Sequence, residues 1–128
     1  SWVHPTNSRA NVLRVPATGW DEFHLGMQFS FPLQALEALL ERWRRHPHVR
    51  VDKLGPSPSG RPIYRIRITD TDASAPLSAR WHHFLVNQHP GEGNARWRLA
   101  GMIDWLLSDD PAAADLRRRS IVTAVPLL

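Results

Sequence analysis

A chain of 128 residues has room for one domain with a single modest core. Its 42% hydrophobic and 22% charged content is ordinary for a globular protein, and no apolar run approaches the roughly 18–20 residues that span a membrane. Cysteine is absent, which excludes disulfides and thiolate ligands, so any metal must be held by His and carboxylate. The net charge is +4, and since Lys53 is the one lysine, 15 of the 16 basic residues are Arg. Such a balance can favour polyanions or acidic substrates. The densest runs, Arg42-Trp43-Arg44-Arg45 and Arg117-Arg118-Arg119, read instead as solvated helix ends complementing the helix dipole.

Residues 1–31 are rich in Pro, Asn, Ser and Gly with scattered aromatics, and read as loops and short strands, the last piece of a preceding β domain. From Pro32 the pattern sharpens. Leu36, Leu39, Leu40 and Trp43 recur at helical spacing, which predicts a helix from about Leu33 to Arg45, stopped before Pro47. Val49 to Leu54 is a short strand, and Gly55-Pro56-Ser57-Pro58-Ser59-Gly60 is turn chemistry. Tyr64, Ile66 and Ile68 alternate with Arg65 and Arg67, as in a half-buried strand. After a polar loop, Asp70 to Pro76, comes a more continuously apolar strand, Trp81 to Val86, of the kind covered on both faces.

A helix follows, with Asn94 as N-cap and Trp97, Ala100, Ile103 and Leu107 as its buried stripe, widened by Leu99, Met102 and Leu106. Ser108-Asp109-Asp110-Pro111 ends it and starts another, Asp110 capping and Pro111 at the first helical position. The last run, Ile121 to Leu128, reads as the interior of a strand with nothing after it. The chain therefore reads as cut from something longer, and this strand would lack the sheet that should cover it. The order of elements predicts an α/β layered sheet over residues 32–128.

The chemistry concentrates in Asn87-Gln88-His89-Pro90-Gly91-Glu92. A zinc site built from nitrogen and oxygen needs an imidazole and a carboxylate within about 2 Å of one ion. A tight turn after a strand places positions i and i+3 on the same side, and Pro90 and Gly91 make that turn easy to form. The carboxyl end of a strand, before a helix, is also where open α/β sheets bind ligands. Spacing alone is weak evidence: with 7 His and 4 Glu, chance supplies an H-x-x-E roughly 0.2 times. Taken alone, the turn reads at least as readily as an exposed loop.

Other candidates are weaker. His82 and His83 point to opposite faces of a strand and cannot share a metal. His46 and His48 flank Pro47 and read as solvated, and His4 and His24 lie in the irregular segment. Asp109 and Asp110 read as capping residues, Asp70 and Asp72 as a polar loop. A nucleic-acid interface would need clustered Arg with exposed aromatics, whereas the aromatics mostly fall on predicted buried stripes, so no nucleic-acid partner is predicted.

Two stretches carry a resemblance. Ser57-Pro58-Ser59-Gly60-Arg61-Pro62-Ile63-Tyr64 resembles the S-x-x-G-R-x-I turn and strand of zinc carboxypeptidases, and His89-Pro90-Gly91-Glu92 with Trp97 resembles the H-P-G-E-x-x-x-x-W run of that family's cytosolic-type branch. It covers about residues 32 to 128, the family's amino-terminal part. The resemblance implies a mixed β-sheet with helices on both faces, Zn2+ as cofactor, and His89 and Glu92 as the first and second metal ligands. It implies hydrolysis of a peptide or amide bond by a metal-polarised water that a glutamate deprotonates. The third ligand, that glutamate and the arginines that hold substrate are implied to lie after Leu128, so no catalytic residue is assigned and the chain alone is expected to be inactive. Gly91 stands where the animal digestive enzymes have Arg. The substrate is a peptide, or an acyl-amino acid in a deacylase of the same superfamily; a non-catalytic binding module is the alternative of another class. No membrane partner is predicted, and the cytoplasm is slightly favoured as the compartment.

Overall fold

A computed structural model of the chain describes residues 19, 26, 28–89 and 91–127. Most of the predicted irregular segment 1–31 lies outside the described residues, as do His4 and His24. Helix α1 spans Leu33–Trp43 and begins where the Pro32 carbonyl accepts from the Ala35 and Leu36 amides. It buries Leu36, Leu40 and Trp43, the stripe its spacing predicts. Strands β1 (Val49–Pro56) and β2 (Pro62–Ile68) form an antiparallel hairpin. Its turn is closed by Ser57 N–H donating to the Arg61 carbonyl at 2.7 Å, with Gly60 at φ +78°, a conformation open to glycine. A short 3-10 turn, Leu77–Ala79, leads into β3 (Trp81–Val86); α2 (Gly93–Leu106), α3 (Pro111–Arg119) and β4 (Ser120–Val125) follow.

The sheet runs in the order β1-β2-β4-β3, with β4 antiparallel to β2 and parallel to β3. This is the predicted mixed α/β sheet. Ile68 pairs with Val122 and Ile66 with Ala124, so these four side chains share one face, where they form a single cluster with Leu36, Leu40 and Trp43 of α1 and Ala100, Ile103 and Leu106 of α2. The two helices are also tied to each other, since Asp104 accepts from Trp43 Nε1 at 2.7 Å and from Arg42. On the opposite face the register groups Arg65, Arg67, Thr123 and Phe84, with Asp52 held between Arg50 and Arg65.

Two predicted burials are exchanged. β3, read as covered on both faces, is an edge strand among the described residues, leaving Trp81 74% and Phe84 70% exposed. β4, read as lacking cover, lies between β2 and β3 with Ile121, Val122, Ala124 and Val125 all buried. An apolar run specifies that a strand seeks cover; its place in the sheet depends on pairing with segments far away in sequence.

Charged residues are also more buried than their runs suggest. Arg117, predicted solvated, is buried and donates from Nη1 to the Leu106 and Ser108 carbonyls, thereby capping the carboxyl end of α2. Arg80 is buried at the start of β3 and donates to Thr69 Oγ1 and to the carbonyls of Asp70, Ala73 and Ala75, which fixes the 69–76 loop.

Candidate metal centre

The site begins where β3 runs out. Asn87 N–H donates to the Val125 carbonyl at 3.0 Å, extending the parallel pairing by one residue beyond Val86. The strand's period of two puts Asn87 on the inward side with Leu85, and the residue is buried, 4% exposed. The chain then turns. Glu92 N–H donates to the His89 carbonyl at 3.2 Å, and the Glu92 carbonyl accepts from Ala95 at 2.9 Å, so Glu92 stands at the N-cap position of α2. Asn94, predicted as the cap, lies in the first turn of the helix instead; Gly93 starts the helix one residue ahead of it.

This turn brings His89 Nδ1 within 3.1 Å of Glu92 Oε1. Both side chains open to solvent, 71% and 48% exposed. The hydrogen bond from His89 holds the Glu92 carboxyl below its ordinary range, partial burial opposes this, and the charges of His89 and Arg96 lower it further. The second carboxylate oxygen, Oε2, accepts from Asn87 Nδ2 at 3.4 Å, while Asn87 Oδ1 accepts from Arg96 Nε at 2.7 Å. Gln28 Nε2 donates to the Gly91 carbonyl at 2.6 Å and ties the turn to the segment before α1.

The donor set fits zinc as far as it goes. Two ligands at about 2.0–2.1 Å from a tetrahedral ion stand roughly 3.3 Å apart, close to the separation of His89 Nδ1 and Glu92 Oε1. Imidazole nitrogen and carboxylate oxygen are ordinary zinc ligands. Among the described residues no group of three or more His, Cys, Asp or Glu converges, so within them this pair stands without a third donor.

The other described histidines lie elsewhere. His83 Nε2 is 3.3 Å from Ser120 Oγ and His82 packs near Phe84, on opposite faces as predicted. His46 and His48, read as solvated, are half-buried with rings 5.2 Å apart, and His48 N–H donates to His46 Nδ1. Asp110 accepts from the Ala112 and Ala113 amides, the predicted cap of α3, while Asp70 accepts from Asp72 N–H inside its loop. Trp97, placed on a buried stripe by its spacing, is 43% exposed; it stacks edge-on against Phe31 at 4.8 Å and donates to the Ser30 carbonyl. With Phe29, Asn94 and Arg98 it lines an open cavity of about 480 Å³ beside the site.

Asn87, Arg96 and Gln28 were not singled out by sequence reasoning. Asn87 carried a signal, the continuation of the Leu85 side of β3 by one more step of two. Arg96 and Gln28 carried none, because their partners are set by how α2 and the preceding segment fold back on the turn.

No protein-family model matches the chain. Cytosolic carboxypeptidase 4 of Mus musculus is 30% identical over 115 residues, which is 83% of this chain and 10% of that protein. Cytosolic carboxypeptidase 2 of Xenopus tropicalis is 36% identical over 72 residues, 55% of this chain and 7% of the relative. Among solved structures, a metallo-carboxypeptidase from Burkholderia cenocepacia superposes with a TM-score of 0.68 at 26% identity, over 77% of this chain and 27% of that one. The chain belongs to the zinc carboxypeptidase family. A second carboxypeptidase structure, from Pseudomonas aeruginosa in complex with (2-guanidinoethylmercapto)succinic acid, agrees with a TM-score of 0.61 at 26% identity over 77% of this chain. The chain spans about a tenth of the length of these curated carboxypeptidases and about a quarter of the solved ones.

Proposed function

We propose that residues 32–128 are the front part of a metallocarboxypeptidase catalytic domain in which His89 and Glu92 supply two of the zinc ligands. The observation that carries this reading is the 3.1 Å approach of His89 Nδ1 to Glu92 Oε1 at the carboxyl end of β3, in a chain of carboxypeptidase fold. Residues 1–31 would precede that domain, but their described end packs on it, with Phe31 in the core and Gln28 bonded to the Gly91 carbonyl. Zinc, when bound, supplies Lewis acidity and lowers the pKa of a coordinated water toward about 7. This chain's part would be to hold the ion: His89 offers an imidazole nitrogen and Glu92 a carboxylate, whose pKa the His89 hydrogen bond lowers in the metal-free chain. The substrate class is a peptide carboxy-terminus or, in the deacylase version of the same chemistry, an acyl-amino acid. The names of the cytosolic relatives support a cytoplasmic location.

One observation favours a second reading for the chain taken alone. Zinc enzymes use three protein ligands, and only two donors converge among the described residues. The 128-residue chain is therefore expected to release no carboxy-terminal residue from peptides. Zinc-dependent release by the purified chain, lost on His89→Ala, would show instead that it is complete as a catalyst. In a longer form that carries the remaining machinery, His89→Ala and Glu92→Gln should each lower bound zinc and activity beyond the ~10–100-fold typical of losing a ligand's hydrogen-bond partner. Retention of both in either variant would overturn the assignment.

A further inference from the structure

Metal ligands work only when their own orientation is fixed, and a carboxylate at the start of a helix has several rotamers to choose from. Glu92 is half exposed, and the His89 ring beside it is more so. Neither is held by packing. The buried group at the site is Asn87, 4% exposed and anchored through its backbone to β4 by the bond to Val125. Its side chain faces two ways. Oδ1 accepts from Arg96 Nε at 2.7 Å, which fixes the amide plane and assigns the nitrogen to the other side. That nitrogen reaches Glu92 Oε2 at 3.4 Å, while Oε1 is the oxygen turned to His89.

We infer that Asn87 and Arg96 are positioning residues for the metal centre, a relay that holds Glu92 Oε2 so that Oε1 is presented alongside His89 Nδ1. Arg96 acts through Asn87: its guanidinium sets which end of the amide points at the carboxylate. A buried Asn at the end of an apolar strand would be costly without such partners, and here both ends of its amide are used. The inference rests on His89 and Glu92 being the ligands, and the test separates the two claims.

In the metal-free chain, the Asn87 side-chain amide protons should exchange slowly and show nuclear Overhauser effects to the Glu92 side chain, unlike those of the exposed Gln88 and Asn94. Averaged, fast-exchanging Asn87 protons would overturn the relay whether or not metal binds. Zn2+ is then titrated, read at the His89 ring resonances so that the other histidines do not interfere. Asn87→Ala should weaken binding at His89 by about tenfold. Arg96→Met should weaken it in the presence of Asn87 and have no such effect in the Asn87→Ala background, since the charge lost is the same in both. Equal effects in the two backgrounds would sink the role of Arg96; if Asn87→Ala does not fold, the exchange and Overhauser data on the unsubstituted chain decide the relay. Absence of any zinc response at His89 would overturn the metal assignment itself and leave the relay to be decided by the metal-free spectra.

Discussion

At the scale of single residues, the centre shows how a tight turn turns sequence spacing into ligand geometry. His89 and Glu92 converge because the Glu92 amide returns to the His89 carbonyl, and their side chains follow the backbone. The opposite end of the sheet carries a different titratable pair. Burial, the His48 ring and Arg117 hold His46 below its usual pKa of 6.5, while the Leu107 carbonyl and Asp109 pull the other way. As pH falls, the unfolded chain takes up this proton first. The contribution of neutral His46 to stability is thus complete above about pH 6.5 and is lost as pH falls through the lowered folded value. Melting temperature should decline from pH 7.5 toward pH 5, and His46→Asn should flatten that slope. An identical slope in the variant would show that another group governs it.

At the scale of elements, helix ends and strand edges decide more than helix interiors. Arg117 caps α2 from the next helix, so Arg117→Met should cost about 1.5–3 kcal/mol, read as a lower urea midpoint with unchanged slope. An effect below about 0.5 kcal/mol would mean that solvent serves those carbonyls equally well. The strand β3 poses the reverse problem, exposing Phe84 and Trp81 on a strand that pairs, among the described residues, with β4 alone. Such an edge templates association. Phe84→Thr should reduce concentration-dependent light scattering while shifting stability by no more than about 0.5 kcal/mol. Scattering that persists unchanged would place the sticky surface elsewhere.

At the scale of the whole molecule, one apolar cluster joins α1, α2, β2 and β4, and Ile103 lies in it with no exposure. Ile103→Ala should cost about 2–5 kcal/mol, a large share of the roughly 5–15 kcal/mol that holds a domain of this size. A loss under 1 kcal/mol would mean the two helices do not share a core. How far this could be foreseen divides by range. The sequence by itself determined the α1 stripe, the β1 and β2 strands with the turn between them, the Asp110–Pro111 start of α3 and the H-x-x-E turn, because each depends on residues within a turn or two of one another. It also carried the family, through Gly60-Arg61-Pro62-Ile63 and His89-Pro90-Gly91-Glu92 in order. Only the tertiary structure decided that β4 takes the middle of the sheet and β3 its edge, that Arg80 and Arg117 are buried, and that Trp97 stays half exposed. The same holds for Asn87, whose partners Arg96 and Val125 arrive from α2 and β4. The physical reason is common to all of these: strand order and buried-polar pairing are settled by which distant segments compete for the same neighbour, and local pattern records only that a neighbour is needed.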